Sequence, residues 1–216
     1  PDNPHDWEAL LAPRLAELRA RVDAAGVRLS MHPGQYTVLD SDRPETVDAA
    51  VAEVEYSARL LSLLSGRESL IVLHGGGKPD ALARGVDKLS PAARGMLVLE
   101  NDETRSAPED TLAACHRLEL PMVYDPLHAE VRAGRNARAW HLPAVGDPAW
   151  AEVHREMAAA AAETWRGRAR PQKIHVSLQR EDPGARPGAH AESIPPRVLQ
   201  RKLKDWGIDP AQQDVM

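Results

Sequence analysis

The sequence has one cysteine, Cys115, in 216 residues. That excludes an intrachain disulfide framework and a cysteine-rich zinc site. No apolar run approaches the roughly 20 residues a membrane-spanning helix needs, so no membrane partner is expected. The opening Pro1-Asp2-Asn3-Pro4 has neither the basic stretch nor the apolar core of a secretory signal, which points to a cytoplasmic location. No Pro/Gly-rich linker divides the chain, and residues 1–216 read as one domain. The composition does not suggest disorder: 43% of residues are hydrophobic and 27% charged. Nor is there a large excess of either charge. The formal net charge is −5, which taken alone speaks against a nucleic-acid partner.

The average hides an uneven distribution. Residues 1–130 carry 13 Lys/Arg and 22 Asp/Glu, a balance of −9, whereas residues 131–204 carry 14 and 7, a balance of +7. The last twelve residues add −3. The basic third contains Arg132, Arg135 and Arg138, then Arg166, Arg168, Arg170 and Lys173, then Arg197, Arg201, Lys202 and Lys204. Such a segment would attract a phosphate backbone, although solvated cationic faces are common on any protein.

Apolar periodicity and turn residues predict helices over 6–25 (kinked or split at Pro13), 44–64, 79–89, 106–118, 147–165 and 196–205. Ser106-Ala107-Pro108-Glu109 fits a capping box, and Pro44 suits a first helical turn. Strands are expected over 27–31, 69–74, 96–100, 122–125 and 173–178, with loops over 126–147 and 180–190. Strict alternation of strand and helix implies a parallel sheet with helical crossovers, in a doubly wound fold or a β/α barrel.

Both architectures place their sites at the C-terminal edge of the sheet. There the predicted strands deliver His32, His74, Glu100, Asp125 with His128, and Lys173 with His175, and His190 follows in a loop. Any one of these could be a satisfied histidine or a capping carboxylate. Five successive strand ends carrying such residues point to a site for divalent ions, in which bridging carboxylates suit phosphodiester hydrolysis. His5, His116, His141 and His154 lack this placement. Cys115, on a helix, reads as a small buried apolar residue. Gly75-Gly76-Gly77-Lys78 lacks phosphate-loop spacing, and the glycines are expected to let backbone approach a ligand or metal.

Five stretches resemble the UV-damage endonuclease family: Leu29-Ser30-Met31-His32-Pro33-Gly34-Gln35-Tyr36, Leu73-His74-Gly75-Gly76, Leu99-Glu100-Asn101-Asp102, Pro121-Met122-Val123-Tyr124-Asp125 with His128, and Lys173-Ile174-His175-Val176-Ser177. Asp214-Val215-Met216 resembles the start of the family's last barrel strand. The resemblance implies a (β/α)8 TIM-type barrel related to apurinic-site endonucleases and sugar isomerases. It also implies a damaged double-stranded DNA substrate, nicked 5′ to a UV photoproduct by metal-activated water. Up to three divalent ions are implied, commonly manganese, with zinc as the alternative. By matching motif, His32, His74 and Glu100 would hold one ion, and Glu100 would bridge to a second shared with Asp125 and His175. His128 and His190 would serve a third. Glu100 and Lys173 are the implied catalytic residues, Lys173 matching a lysine carboxylated in the family. Gln35 and Tyr36 match a pair that probes DNA at the lesion.

The sequence departs from the family pattern at both ends. The family's first two βα units and the Glu expected after Met216 have no counterpart, so an incomplete barrel with roughly six of the eight strands is expected. Two other readings remain: a catalytically inactive DNA-binding fragment, and a metal-dependent sugar isomerase or epimerase on the same barrel. A monomer acting at the nucleoid is expected.

Overall fold

The computed structural model describes residues 5–135, 147–211 and 214–215. Strands and helices alternate along the chain. Helix α1 (Trp7–Ala25) leads to β1 (Ser30–Met31), α2 (Pro44–Leu64) to β2 (Leu70–His74), and α3 (Pro79–Val86) with α4 (Pro91–Met96) to β3 (Leu97–Glu100). Helix α5 (Pro108–Leu118) precedes β4 (Met122–Val123). Then α6 (Pro126–Arg135) and α7 (Trp150–Glu163) precede β5 (Lys173–Ile174), and α8 (Pro196–Asp205) precedes β6 (Asp214–Val215).

Strands β1 to β4 pair in parallel and in sequence order, as do β5 and β6. A parallel bridge from Tyr124 to Ile174 and a hydrogen bond from His175 N to the Tyr124 carbonyl (3.1 Å) join the two sets. Among the described residues the result is a six-stranded arc with its helices outside. The arc curls strongly, because β5 reaches across to β1: Lys173 Nζ donates to Ser30 Oγ at 2.7 Å. Arg28 and Arg170 make reciprocal contacts at the same crossing, donating to the carbonyls of Pro171 (3.0 Å) and Gly26 (3.1 Å).

Successive side chains of a strand point to opposite faces, so parity sorts them. Ile71, Leu73, Leu97, Leu99, Met122, Tyr124 and Ile174 belong to the large core beneath the helices. Leu70, Val72, Val98 and Val123 form a separate inner cluster with Trp165, whose indole N–H donates to the Met122 carbonyl at 2.7 Å. Continuing the inner face two residues at a time leads from Val72 to His74, Val98 to Glu100, Val123 to Asp125, Lys173 to His175 and Ser30 to His32.

Several local expectations need correction. Pro13 does not split α1, which runs unbroken; it lies on the exposed face, where the carbonyl one turn earlier can meet water. Ser106 does not cap α5, which begins at Pro108 after Ala107; its hydroxyl accepts instead from Gly77 N at 3.2 Å. The first part of the expected loop at 126–147 is helix α6, while residues 136–146, including Arg138 and His141, lie outside the described set. Strand β5 ends at Ile174 rather than 178. The following excursion is closed by Arg180 N to Ala189 O and Ala191 N to Leu178 O, both 2.8 Å, and by an antiparallel bridge between Gln179 and His190.

The triple glycine also serves a different purpose. At Gly76 (φ +126°) a Cβ would fall 2.7 Å from Thr111 Cα, and at Gly77 one would fall 2.6 Å from the Arg105 carbonyl. Gly76 and Gly77 admit the backbone around the start of α5, while Gly75 lines the cleft at the mouth. Thr111 Oγ1 completes the junction by donating to the Gly75 carbonyl at 3.0 Å.

Candidate metal centre

All seven residues expected as ligands converge at the C-terminal mouth of the arc. Glu100 is fully buried at the end of β3. One carboxylate oxygen lies 2.8 Å from His32 Nε2 and 3.4 Å from His74 Nε2; the other lies 2.5 Å from His175 Nδ1. Asp125, equally buried, places Oδ2 3.2 Å from His190 Nε2 and 3.8 Å from His128 Nε2. The two histidine Nε2 atoms are 3.3 Å apart. Asp125 is held by a reciprocal pair of bonds with Asn101, whose amide donates to the Asp125 carbonyl and accepts from its backbone N–H, each at 2.9 Å.

The donor atoms form three overlapping groups, each within 4.8 Å: His32, His74 and Glu100; Glu100, Asp125 and His175; and Asp125, His128 and His190. Two carboxylates and five imidazoles make a donor set suited to zinc, manganese or iron. Within the cluster, His74 Nε2, Asp125 Oδ2, His175 Nε2 and His128 Nδ1 are buried without a well-directed hydrogen bond among the described residues, the last of them 3.1 Å from Glu103 Oε2. Buried polar atoms ordinarily find partners, so the first three fit cation ligands. Lys173 lies on the same inner face, two residues before His175 and 2% exposed.

The cluster is strongly polarised. Burial pushes the Glu100 carboxyl upward, but His175, His32 and His74 outweigh it and hold the group well below its ordinary range. Asp125 is likewise lowered, its burial offset by His190 and His128. Burial works against a charged His32, yet its contact with Glu100 leaves its pKa raised. His128 is also opposed by burial, but Glu103 and Asp125 raise it to about 9.

The mouth opens into a cleft of about 650 Å³ rimmed by Gln35, Tyr36, Arg105, Arg180 and Arg186. Tyr36 is 84% exposed. Arg186 donates to Gln35 Oε1 at 3.0 Å, which joins the His190 loop to the loop after β1. Part of the basic third is engaged within the fold rather than presented at the cleft. Arg168 donates to the Gly95 carbonyl, Arg170 to Gly26, and Lys173 is buried.

Two features have no counterpart in the sequence reading. Glu103 places Oε2 3.1 Å from His128 Nδ1, and its carboxyl is lowered to about 2, chiefly by that histidine. No spacing in the sequence marks it, since its partner His128 lies at the start of another helix. Separately, Tyr124 Oη, His154 and Glu130 form a buried chain, both links 2.8 Å, with His154 stacked on Trp150 and edge-on to Trp206. This satisfied chain lies beneath the helices, outside the centre.

A family model described as UV-endonuclease UvdE matches residues 1–209. The chain belongs to the UvdE family. It is 33% identical over 183 residues to the UV-damage endonuclease of Neurospora crassa, covering 77% of this chain and 27% of that protein. It is 37% identical over 158 residues to the UV DNA damage endonuclease of Deinococcus radiodurans, covering 67% and 52%. It therefore spans about a quarter to a half of the length of these relatives. Among solved structures, the crystal structure of SacUVDE superposes with a TM-score of 0.79 at 26% identity, covering 100% of this chain and 68% of that one. Endonuclease IV from Thermus thermophilus gives a TM-score of 0.58 at 20% identity, covering 89% and 72%, and shares the fold. The chain thus has the TIM-type β/α barrel architecture, left open among its described residues.

Proposed function

We propose that the chain carries the catalytic centre of a metal-dependent DNA-repair endonuclease, which nicks duplex DNA 5′ to UV photoproducts. The observation that carries this reading is the set of three donor groups linked through Glu100 and Asp125 at the barrel mouth of a UvdE family member. His32 and His74 would hold one ion with Glu100; His175 and Asp125 would share a second with Glu100; His128 and His190 would hold a third with Asp125. Manganese is the ion proposed, with zinc as the alternative. When bound, divalent ions supply Lewis acidity at the phosphate and lower the pKa of water.

The chain's own residues position the reaction. The buried Glu100 and Asp125 carboxylates would hold divalent ions in a site of low dielectric, where charge stabilisation is strong. Exposed Tyr36 offers a ring on which bases can stack, and Gln35 beside it offers an amide to the space that extruded bases leave. Arg186 braces Gln35 from across the cleft. Lys173 either contacts the phosphate as a cation or, carboxylated, presents an anion to the same centre. Intact-mass measurement distinguishes these two forms by one added carbon dioxide. The whole unit is proposed to act as one domain and one monomer, in the cytoplasm at the nucleoid. No described helix is long and apolar enough to cross a membrane.

The deciding experiment is a nicking assay on UV-irradiated duplex with and without a chelator. Damage-dependent, chelator-sensitive nicking is expected, and Glu100→Gln should abolish it while weakening DNA binding much less. Tyr36→Ala should reduce discrimination for damaged DNA and leave metal content intact. Salt-dependent binding without cleavage by the wild type would instead indicate an inactive DNA-binding fragment. Sugar turnover without any effect on DNA would overturn both.

A further inference from the structure

We infer that Glu103 is a positioning residue for the Asp125, His128 and His190 group, an assignment that rests on the metal reading above. Histidine has ring nitrogens on opposite sides, and a ligand nitrogen is usually oriented by a carboxylate or carbonyl at the other one. His128 has this arrangement. Its Nε2 faces Asp125 Oδ2 (3.8 Å) and His190 Nε2 (3.3 Å), and its Nδ1 faces Glu103 Oε2 at 3.1 Å. The contact is an ion-pair approach rather than a well-directed hydrogen bond, and the nearby carboxylate favours the proton on Nδ1, which leaves the Nε2 lone pair directed at the group.

A second, independent contact ties Glu103 to the other histidine. Gly188 lies against its side chain so closely that a Cβ there would fall 2.9 Å from Glu103 Cδ and 3.0 Å from Cγ. Gly188 has φ +86°, a conformation that glycine adopts readily and other residues rarely do. It stands two residues before His190, in the excursion closed by the Gln179–His190 bridge, and its N–H donates to Gln179 Oε1 at 2.9 Å. Glu103 thus supports both histidines of the group: the His128 ring through its carboxylate, and the His190 loop through its stem. Asp125 is held separately: Asn101 bonds its main chain, and its Oδ1 accepts from His128 N at 3.0 Å.

The test is manganese titration of the full chain by calorimetry, with ring ¹⁵N spectra of the metal-free chain recorded above the pKa of about 9 that His128 has there, where its ring is neutral and has a defined tautomer. Glu103→Ala should weaken one class of site by about 10- to 100-fold, leave the remaining manganese binding unchanged, and shift the His128 tautomer away from Nδ1–H. Glu103→Gln, which keeps the stem and removes the charge, should show a smaller loss of the same kind and serves if the alanine variant folds poorly. Gly188→Ala, whose Cβ would press on the Glu103 carboxyl carbon and displace it, should weaken the same site class and shift the His128 tautomer in the same direction. If the wild type binds manganese and both Glu103 variants match it in isotherm and tautomer, the Glu103 assignment fails while the metal reading stands. If the wild type takes up no manganese, zinc or iron, the metal reading fails and the assignment falls with it.

Discussion

At the scale of single residues, the centre is a balance between burial and opposite charge, and it titrates accordingly. His128 rises from its ordinary 6.5 to about 9 in the metal-free chain, so the folded state binds its proton more tightly than the unfolded state does. Stability from that proton is fully present below pH 6.5 and is lost as pH rises through about 9. Thermal unfolding in chelator should therefore show a decline across this window, of at most about 3 kcal/mol. Ions compete with the same proton, so uptake at the Asp125, His128 and His190 group should strengthen with pH over the same interval, as calorimetry at several pH values would record. Glu100 has the opposite sign: its lowered pKa contributes stability above the ordinary carboxylate range that is lost on acidification. The ligand residues were legible in the sequence because residue type and strand-end position coincide. Glu103 and Asn101 were not. Their roles depend on how loops from different strands meet, and nothing in the spacing of a linear sequence encodes that.

Among the elements, sequence signals succeeded where one local cause dominates. Pro44 at the first turn of α2 is such a case, since the helix begins there with Arg43 as its cap. They failed where tertiary contacts compete. Ser106 could have capped α5, but its hydroxyl is drawn to Gly77. The Arg- and His-rich stretch at 126–147 reads as loop, yet in its first part, helix α6, Leu127, Ala129 and Val131 are buried and hold it to the core. Two variants test this level. Gly76→Ala combines an unfavourable φ with a backbone clash and should cost roughly 1–3 kcal/mol or more in denaturant unfolding. Pro13→Ala restores an N–H inside an unbroken helix and should raise stability, by up to about 3 kcal/mol.

For the molecule as a whole, charge matters by placement rather than by sum. Arg168 and Arg170 hold backbone carbonyls on the side of the fold away from the cleft, whereas Arg186 stands on its rim. Arg186→Ala should lower the slope of log affinity against log salt by about 1 for duplex DNA, while Arg170→Ala should leave the slope unchanged. Competition binding at several salt concentrations separates the two. Architecture at this scale was legible, since alternating strands and helices restrict a chain to few topologies. The curl that brings Lys173 to Ser30 was not, because it arises from twist and stagger accumulated over the strands.

The two-residue alternation behind the centre also behaves like a reading frame. Deleting one residue within β2 or β3 would turn Leu73 or Leu99 toward the mouth and send His74 or Glu100 into the apolar layer beneath the helices. A loop between strands can lengthen or shorten without shifting that frame. Variation in this fold is therefore tolerated in steps of any size between strands, but inside them only in steps that preserve parity.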